Sequence, residues 1–259
     1  LRLVGSEMCI RDSRKVMEEV LRPENFCVSY TGERESLDVV KAQAAGIKKV
    51  LFNGQKPESV KQAPCIKKNE AFKTSGQVQY VAQNGNFRKK GLEYTGALEI
   101  LKVILSYDYL WINLRVKGGA YGCMSGFKRN GESFLVSYRD PHLKRTLEVY
   151  QGVPDYIRAF EADEREMTKY IIGTISNKDV PRTPQMQGSI SKTAYFSNVT
   201  EDMLQKERNQ ILGAQKEDIQ KLAALVEAVL SDDQICVVGS ETAIEKAEDV
   251  FMEVKPLIG

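Results

Sequence analysis

Histidine is almost missing: the 259 residues contain one, His142, so a catalytic zinc site cannot be assembled within the chain. Such a site takes about three protein ligands, usually histidines with a carboxylate, and a further carboxylate to activate the bound water. His142 follows Pro141 at the start of a helical run and reads as a helix-start residue. CxxC pairs and Cys/His clusters are also missing. The cysteines, Cys9, Cys27, Cys65, Cys123 and Cys236, are an odd, scattered set with no secretory signal before them, which excludes a disulfide framework and fits a reducing compartment. The apolar runs fall well short of the roughly 20 residues that cross a bilayer. Excess charge is lacking too. With 37 basic residues against 35 acidic ones there is no electrostatic footprint for nucleic acid, and Arg88-Lys89-Lys90 reads as a solvated turn before a helix. Neither nucleic acid nor membrane is expected as a partner.

What is present is a chain with enough apolar residues for a core, 42% against 28% charged, and a length that allows roughly one to two domains. Leu98, Leu101, Leu105, Tyr109 and Ile112 recur at helical spacing, and Gly118-Gly119 supplies the permissive backbone that ends the helix. Residues 120–128 and 132–139 read as strands around Asn130-Gly131, a two-residue hairpin signal. Residues 76–83 alternate as a strand. Further helices are expected at 142–161, 163–176, 185–197, 201–213 and 216–230, then a strand at 234–238 and a helix at 241–253. Few strands with many helices predict an α+β fold, a two-layer sandwich of a mainly antiparallel sheet packed with helices.

The run from Arg115 through Gly118-Gly119-Ala120-Tyr121-Gly122 resembles the Arg...Gly-Ala-Tyr-Gly signature in the C-terminal half of the pitrilysin/insulinase zinc metallopeptidases. Ser137-Tyr138-Arg139-Asp140-Pro141 and Asn177-Lys178-Asp179 are similar to the presequence protease subfamily, and the likeness runs from about Arg14 to the C-terminus. The resemblance implies four homologous α/β domains in two halves. The inverted motif His-x-x-Glu-His, and with it the zinc, would lie in the first domain, outside this chain.

The chain repeats part of its own ending. Glu18-Glu19-Val20-Leu21 followed by Phe26-Cys27-Val28 matches Glu227-Ala228-Val229-Leu230 followed by Ile235-Cys236-Val237 at one constant offset. Each copy reads as the helix, strand and helix that finish a domain, with Cys27 and Cys236 as equivalent core residues. Four segments are expected: a doubtful leader at 1–13, the tail of a preceding homologous domain at 14–52, a linker at 53–75 and a complete domain at 76–259. The leader reads either as the translated read-through of a sequencing adapter or as a helical lead-in.

The resemblance makes Tyr121 a hydrogen-bond donor to the scissile region and Arg115 a cationic anchor for a substrate carbonyl or carboxylate, with Gly118 and Gly119 letting substrate backbone come close. Sequence physics alone also allows plainer roles. Arg115 in a helix's last turn favourably faces the macrodipole, and a tyrosine is a common strand aromatic. The implied function is the C-terminal half of a zinc endopeptidase for short unfolded peptides, inactive alone and partnered in cis by its N-terminal half. The alternative is a non-catalytic scaffold or peptide-binding relative. A bacterial cytoplasm is the favoured location, with an organelle matrix as the eukaryotic alternative.

Overall fold

The computed structural model describes residues 2–55 and 68–257, with side chains from residue 10 onward. The chain divides into two compact units, residues 1–65 with 181–200 and residues 66–180 with 201–259. Among the described residues no helix is long and apolar enough to cross a membrane.

The larger unit is built on a six-stranded sheet: β1 (Glu70–Thr74), β2 (Gln79–Asn86), β3 (Gly122–Phe127), β4 (Glu132–Asp140), β5 (Gln234–Ser240) and β6 (Glu253–Pro256), in the order β3-β4-β2-β5-β1-β6. The pairings from β3 to β5 are antiparallel, whereas β1 lies parallel to both β5 and β6. Val81 pairs with Ser137 on one side and Val237 on the other, and Val237 with Ala71, so one row of buried side chains crosses the sheet. The alternate row, Ala82, Val136 and Cys236, is only half-buried. Helices therefore cover one face, giving the α+β sandwich expected from the pattern of elements.

The centre of the helical layer is α3 (Ala97–Tyr107), whose Leu98, Ile100, Leu101, Ile104 and Leu105 are completely or almost completely buried. Leu101 has no exposed surface, so Leu101→Ala should destabilise the larger unit by about 2–5 kcal/mol in a denaturant melt, through lost transfer energy and an unfilled cavity. Later helices complete the layer: α4 (Lys144–Gln151), α5 (Val153–Arg158), α6 (Glu164–Lys178), α8 (Glu201–Leu212), α9 (Lys216–Gln220) and α10 (Ala223–Leu230), with α7 (Pro184–Phe196) in the other unit. Tyr150 on α4 donates to the Val81 carbonyl at 3.1 Å, tying helix to sheet. Gly85 on β2 lets α10 lie directly on the strand, since a Cβ there would sit 2.0 Å from the Val229 carbonyl oxygen.

Several expectations need correction. The stretch read as a linker contains β1, which sits between β5 and β6 and so belongs to the sheet. The predicted helix at 241–253 is a short α11 (Glu241–Glu245) and a 3-10 turn, and Glu253 begins β6. The runs 142–161 and 216–230 each break into two helices, at Gly152 and at Lys221-Leu222. The β3–β4 hairpin is not a two-residue turn. Lys128 N–H donates to the Glu132 carbonyl and Gly131 takes φ +89° while Arg129 and Asn130 keep negative φ, which is a three-residue loop closed by a left-handed glycine.

The smaller unit holds α1 (Arg2–Val20), α2 (Leu37–Val50) and α7. The helical backbone of α1 runs through the residues read as a doubtful leader. Neither α2 nor α7 has a buried residue. Arg22 is the fixed point, buried, paired with Glu24 at 2.6 Å and donating to the Gly54 carbonyl at 2.7 Å. The two repeat copies differ at their centre. Residues 26–31 are irregular and Cys27 is exposed, whereas Cys236 is half-buried on β5, a strand hydrogen-bonded on both sides. Without a neighbouring strand among the described residues, the first copy has nothing to bury Cys27 against, and the expected core cysteine is not found there. Cys65 lies outside the described residues.

Candidate functional site

The expected single helix ending at Gly118-Gly119 is interrupted. Asp108 leaves helical geometry at φ −109°, ψ −89°, and after Leu110 the backbone widens into a π-helical turn, Trp111–Val116. Lys117 N–H reaches back to the Ile112 carbonyl at 2.9 Å and Ala120 N–H to the Leu114 carbonyl at 2.9 Å, longer reaches than an α-helix makes. Wide turns of this kind recur at functional sites because they rotate side chains out of helical register. Gly119 takes φ +79°, a conformation that costs a residue with a Cβ, and a Cβ on buried Gly118 would sit 2.4 Å from the Leu114 carbonyl oxygen. Both glycines therefore have a structural duty in ending the turn.

This wide turn and the start of β3 bring Arg115 and Tyr121 together. The Arg115 guanidinium carbon lies 4.2 Å from the centroid of the Trp111 ring and 5.9 Å from that of Tyr121. Tyr138 on β4 tilts against Tyr121 at 5.6 Å between centroids, and the Arg139 guanidinium carbon stands 5.6 Å from the Tyr121 ring. Tyr121 N–H donates to the Arg139 carbonyl at 3.3 Å, fixing its main chain to β4. The cluster faces solvent, with Tyr121 59% and Trp111 38% exposed. Neither arginine has a carboxylate partner among the described residues. An exposed phenol between two unneutralised guanidinium groups can donate hydrogen bonds to a carbonyl or carboxylate and stabilise charge that builds on it.

Around the cluster the chemistry is inert. Burial pushes the Cys123 thiol up to about 11 despite the pull of Arg115, so it stays protonated and is no nucleophile at neutral pH. Asp140 is buried, accepting from the Thr146 hydroxyl at 2.7 Å and from the His142 N–H at 2.9 Å, which fixes the approach to α4. The His142 ring is exposed, as suits a helix-start residue. Among the described residues no three His, Cys, Asp or Glu side chains converge as metal ligands, so the residues present do not fit a zinc ion.

Sequence reasoning named Arg115, Tyr121, Gly118 and Gly119 and missed Trp111, Tyr138 and Arg139. The last two lie in the Ser137–Pro141 run that carried part of the resemblance, but nothing in the strand alternation marks them as facing Tyr121. Of the large apolar side chains on the β3–β4 hairpin, Phe127 is buried, Phe134 half-buried and Met124 exposed.

Comparison with known proteins agrees with this architecture. A family model described as the PreP C-terminal domain matches residues 69–241. The chain is 43% identical over 250 residues to Protein HypA of Clostridium perfringens, covering 96% of this chain and 26% of that protein. It is 34% identical over 192 residues to Presequence protease 1, chloroplastic/mitochondrial, of Arabidopsis thaliana, covering 73% of this chain and 18% of that one. The chain thus spans about a quarter or less of the length of these relatives. Among solved structures, a peptidase M16 inactive domain from Pseudomonas fluorescens superposes with a TM-score of 0.52 at 18% identity, covering 86% of this chain and 52% of that one. The periplasmic protease PqqL from Escherichia coli gives 0.51 at 16% identity, covering 81% and 25%. At those identities the likeness concerns the fold alone. The matched family model, over two thirds of the chain, and the identity to a presequence protease place this chain in the PreP C-terminal domain family.

Proposed function

We propose that this chain supplies the zinc-free wall of a peptidase that degrades short unfolded peptides, with Tyr121 donating to the scissile carbonyl and Arg115 anchoring a neighbouring carbonyl or carboxylate. The observation that carries this reading is the exposed Arg115–Tyr121 pair, the guanidinium carbon 5.9 Å from the ring centroid and without a carboxylate partner among the described residues. A donor already aimed at the place where oxygen gains charge stabilises the transition state without reorganising first. The guanidinium, with two parallel donors, suits a planar oxygen pair better than an ammonium does. Zinc, in this reading, is held by the N-terminal half of the same polypeptide. Residues 14–52 are read as the tail of a preceding homologous domain, which accords with helix α2 burying none of its residues.

A non-catalytic scaffold is the second reading, favoured by the Pseudomonas fluorescens neighbour, described as an inactive domain. Digestion of an unfolded peptide separates the two. The full-length protein should cleave it, whereas the purified 259-residue chain should hold no stoichiometric zinc by elemental analysis and cleave nothing. Zinc at one equivalent per chain, surviving exchange and lost on His142→Ala, would show that the site is misplaced, and a full-length protein without peptidase activity would leave the scaffold.

A further inference from the structure

Three residues other than glycine adopt positive φ among the described residues: Arg139 at +47°, Asn198 at +52° and Asp233 at +46°. Asn and Asp tolerate the left-handed region because their short polar side chains bond locally, whereas a long side chain gains no such relief. Arg139 sits at an irregularity in the sheet. Gln79 pairs with Asp140 and Val81 with Ser137, so Tyr138 and Arg139 together face Tyr80 alone, as in a β-bulge. The bulge reverses the burial pattern of β4. Ser133, Leu135 and Ser137 are buried, and simple alternation would bury residue 139, yet Arg139 is exposed and Asp140 takes the interior position.

We propose that Arg139 is a positioning residue of the site: the left-handed bulge turns its guanidinium outward to hold the Tyr121 ring in the orientation that donates to substrate. The assignment of a catalytic consequence rests on the peptidase reading above; the holding of the ring does not. Arg139 reaches Tyr121 twice, through its carbonyl with Tyr121 N–H at 3.3 Å and through its guanidinium 5.6 Å from the ring. It has no carboxylate partner among the described residues that would give it an ordinary salt-bridge role. The competing explanation is that the bulge exists to bury Asp140. Gly or Asn at position 139 would serve that purpose at least as well as arginine, because both accept the left-handed backbone.

Arg139→Asn and Arg139→Gly therefore decide the matter in three measurements. In the 259-residue chain both variants should keep the wild-type Tm or raise it by roughly 1–4 °C, as relief of an unfavourable φ does in a domain of this size. In the same chain, NMR on ring-labelled tyrosine should show the Tyr121 ring shifted and flipping faster than in wild type. In the full-length enzyme kcat should fall roughly five- to tenfold with little change in KM, Arg139→Lys should recover part of it, and Arg139→Asn should add little to Tyr121→Phe because it acts through that hydroxyl. Unchanged Tyr121 ring resonances overturn the proposal whatever the activity. So does a lower Tm, which would make Arg139 a packing residue, or wild-type turnover by both variants. A wild-type enzyme that cleaves nothing sinks the peptidase reading instead, and the ring measurement still decides whether Arg139 holds Tyr121.

Discussion

Tyr121→Phe in the full-length protein should, on the proposed peptidase role, lower kcat by about 10²–10³ while leaving KM, Tm and metal content close to wild type, the loss typical of one donor aimed at a developing oxyanion. The substitution removes one hydroxyl and keeps the ring. The ring's contacts with Tyr138, Arg115 and Arg139 are then retained, so the fold around β3 has no reason to change. Tyr121 is 59% exposed, and a surface hydroxyl without a catalytic task is worth within about 0.5 kcal/mol, a rate effect of little more than twofold. The gap between twofold and a hundredfold separates the two roles. Steady-state kinetics on an unfolded peptide, with elemental analysis of each preparation, make the comparison. Wild-type kcat in the phenylalanine variant would reduce Tyr121 to a strand aromatic.

Arg115→Lys should be nearly as damaging to kcat/KM, and chiefly through KM. The guanidinium stacks on Trp111 at 4.2 Å, which leaves its planar edge for two parallel hydrogen bonds to a carbonyl or carboxylate. A lysine keeps the charge but offers a point donor without a fixed plane. Hydrogen bonds to a charged group contribute about 1.5–3 kcal/mol, so losing one of them should raise KM by roughly 10- to 150-fold. If Arg115 binds ground and transition states alike, kcat stays near wild type; an equal fall in kcat and kcat/KM would place its contact in the transition state alone. The plainer role, a cation facing the carbonyl end of a helix, predicts something else. Lysine would serve there as well as arginine, and the cost would appear as at most about 1 kcal/mol of stability.

The order of elements from α3 to β5 was legible because its signals are local. Helical spacing marks Leu98, Leu101 and Leu105, the Asn130-Gly131 signal marks the hairpin of β3 and β4, and glycines mark where the chain turns. Alternation over 76–83 locates β2 but not its inner face, since Gln79 and Gln83 are buried and Val78 and Tyr80 exposed. What escaped depends on partners distant in sequence. β1 is short and carries one fully buried residue, Ala71; what makes it a strand is parallel pairing with β5 and β6, far along the chain. β6 is an edge strand with no buried residue, so its charged sequence reads as the end of a helix. At the site, Arg115 and Tyr121 were legible as a motif, because their spacing across a double glycine is a sequence property. Arg139 was not. Its place beside Tyr121 comes from a bulge that shifts β4 by one residue, and alternation read from sequence assumes a strand without such a shift.

The central claim is that Tyr121 and Arg115 face the scissile bond. A structure of the full-length protein with an uncleaved peptide trapped inside tests it most directly. The account predicts the Tyr121 hydroxyl within about 2.7–3.1 Å of the scissile carbonyl oxygen, with the Arg115 guanidinium on an adjacent carbonyl or carboxylate. A peptide bound elsewhere, with both side chains still exposed to solvent and beyond reach of a bridging water, would contradict it.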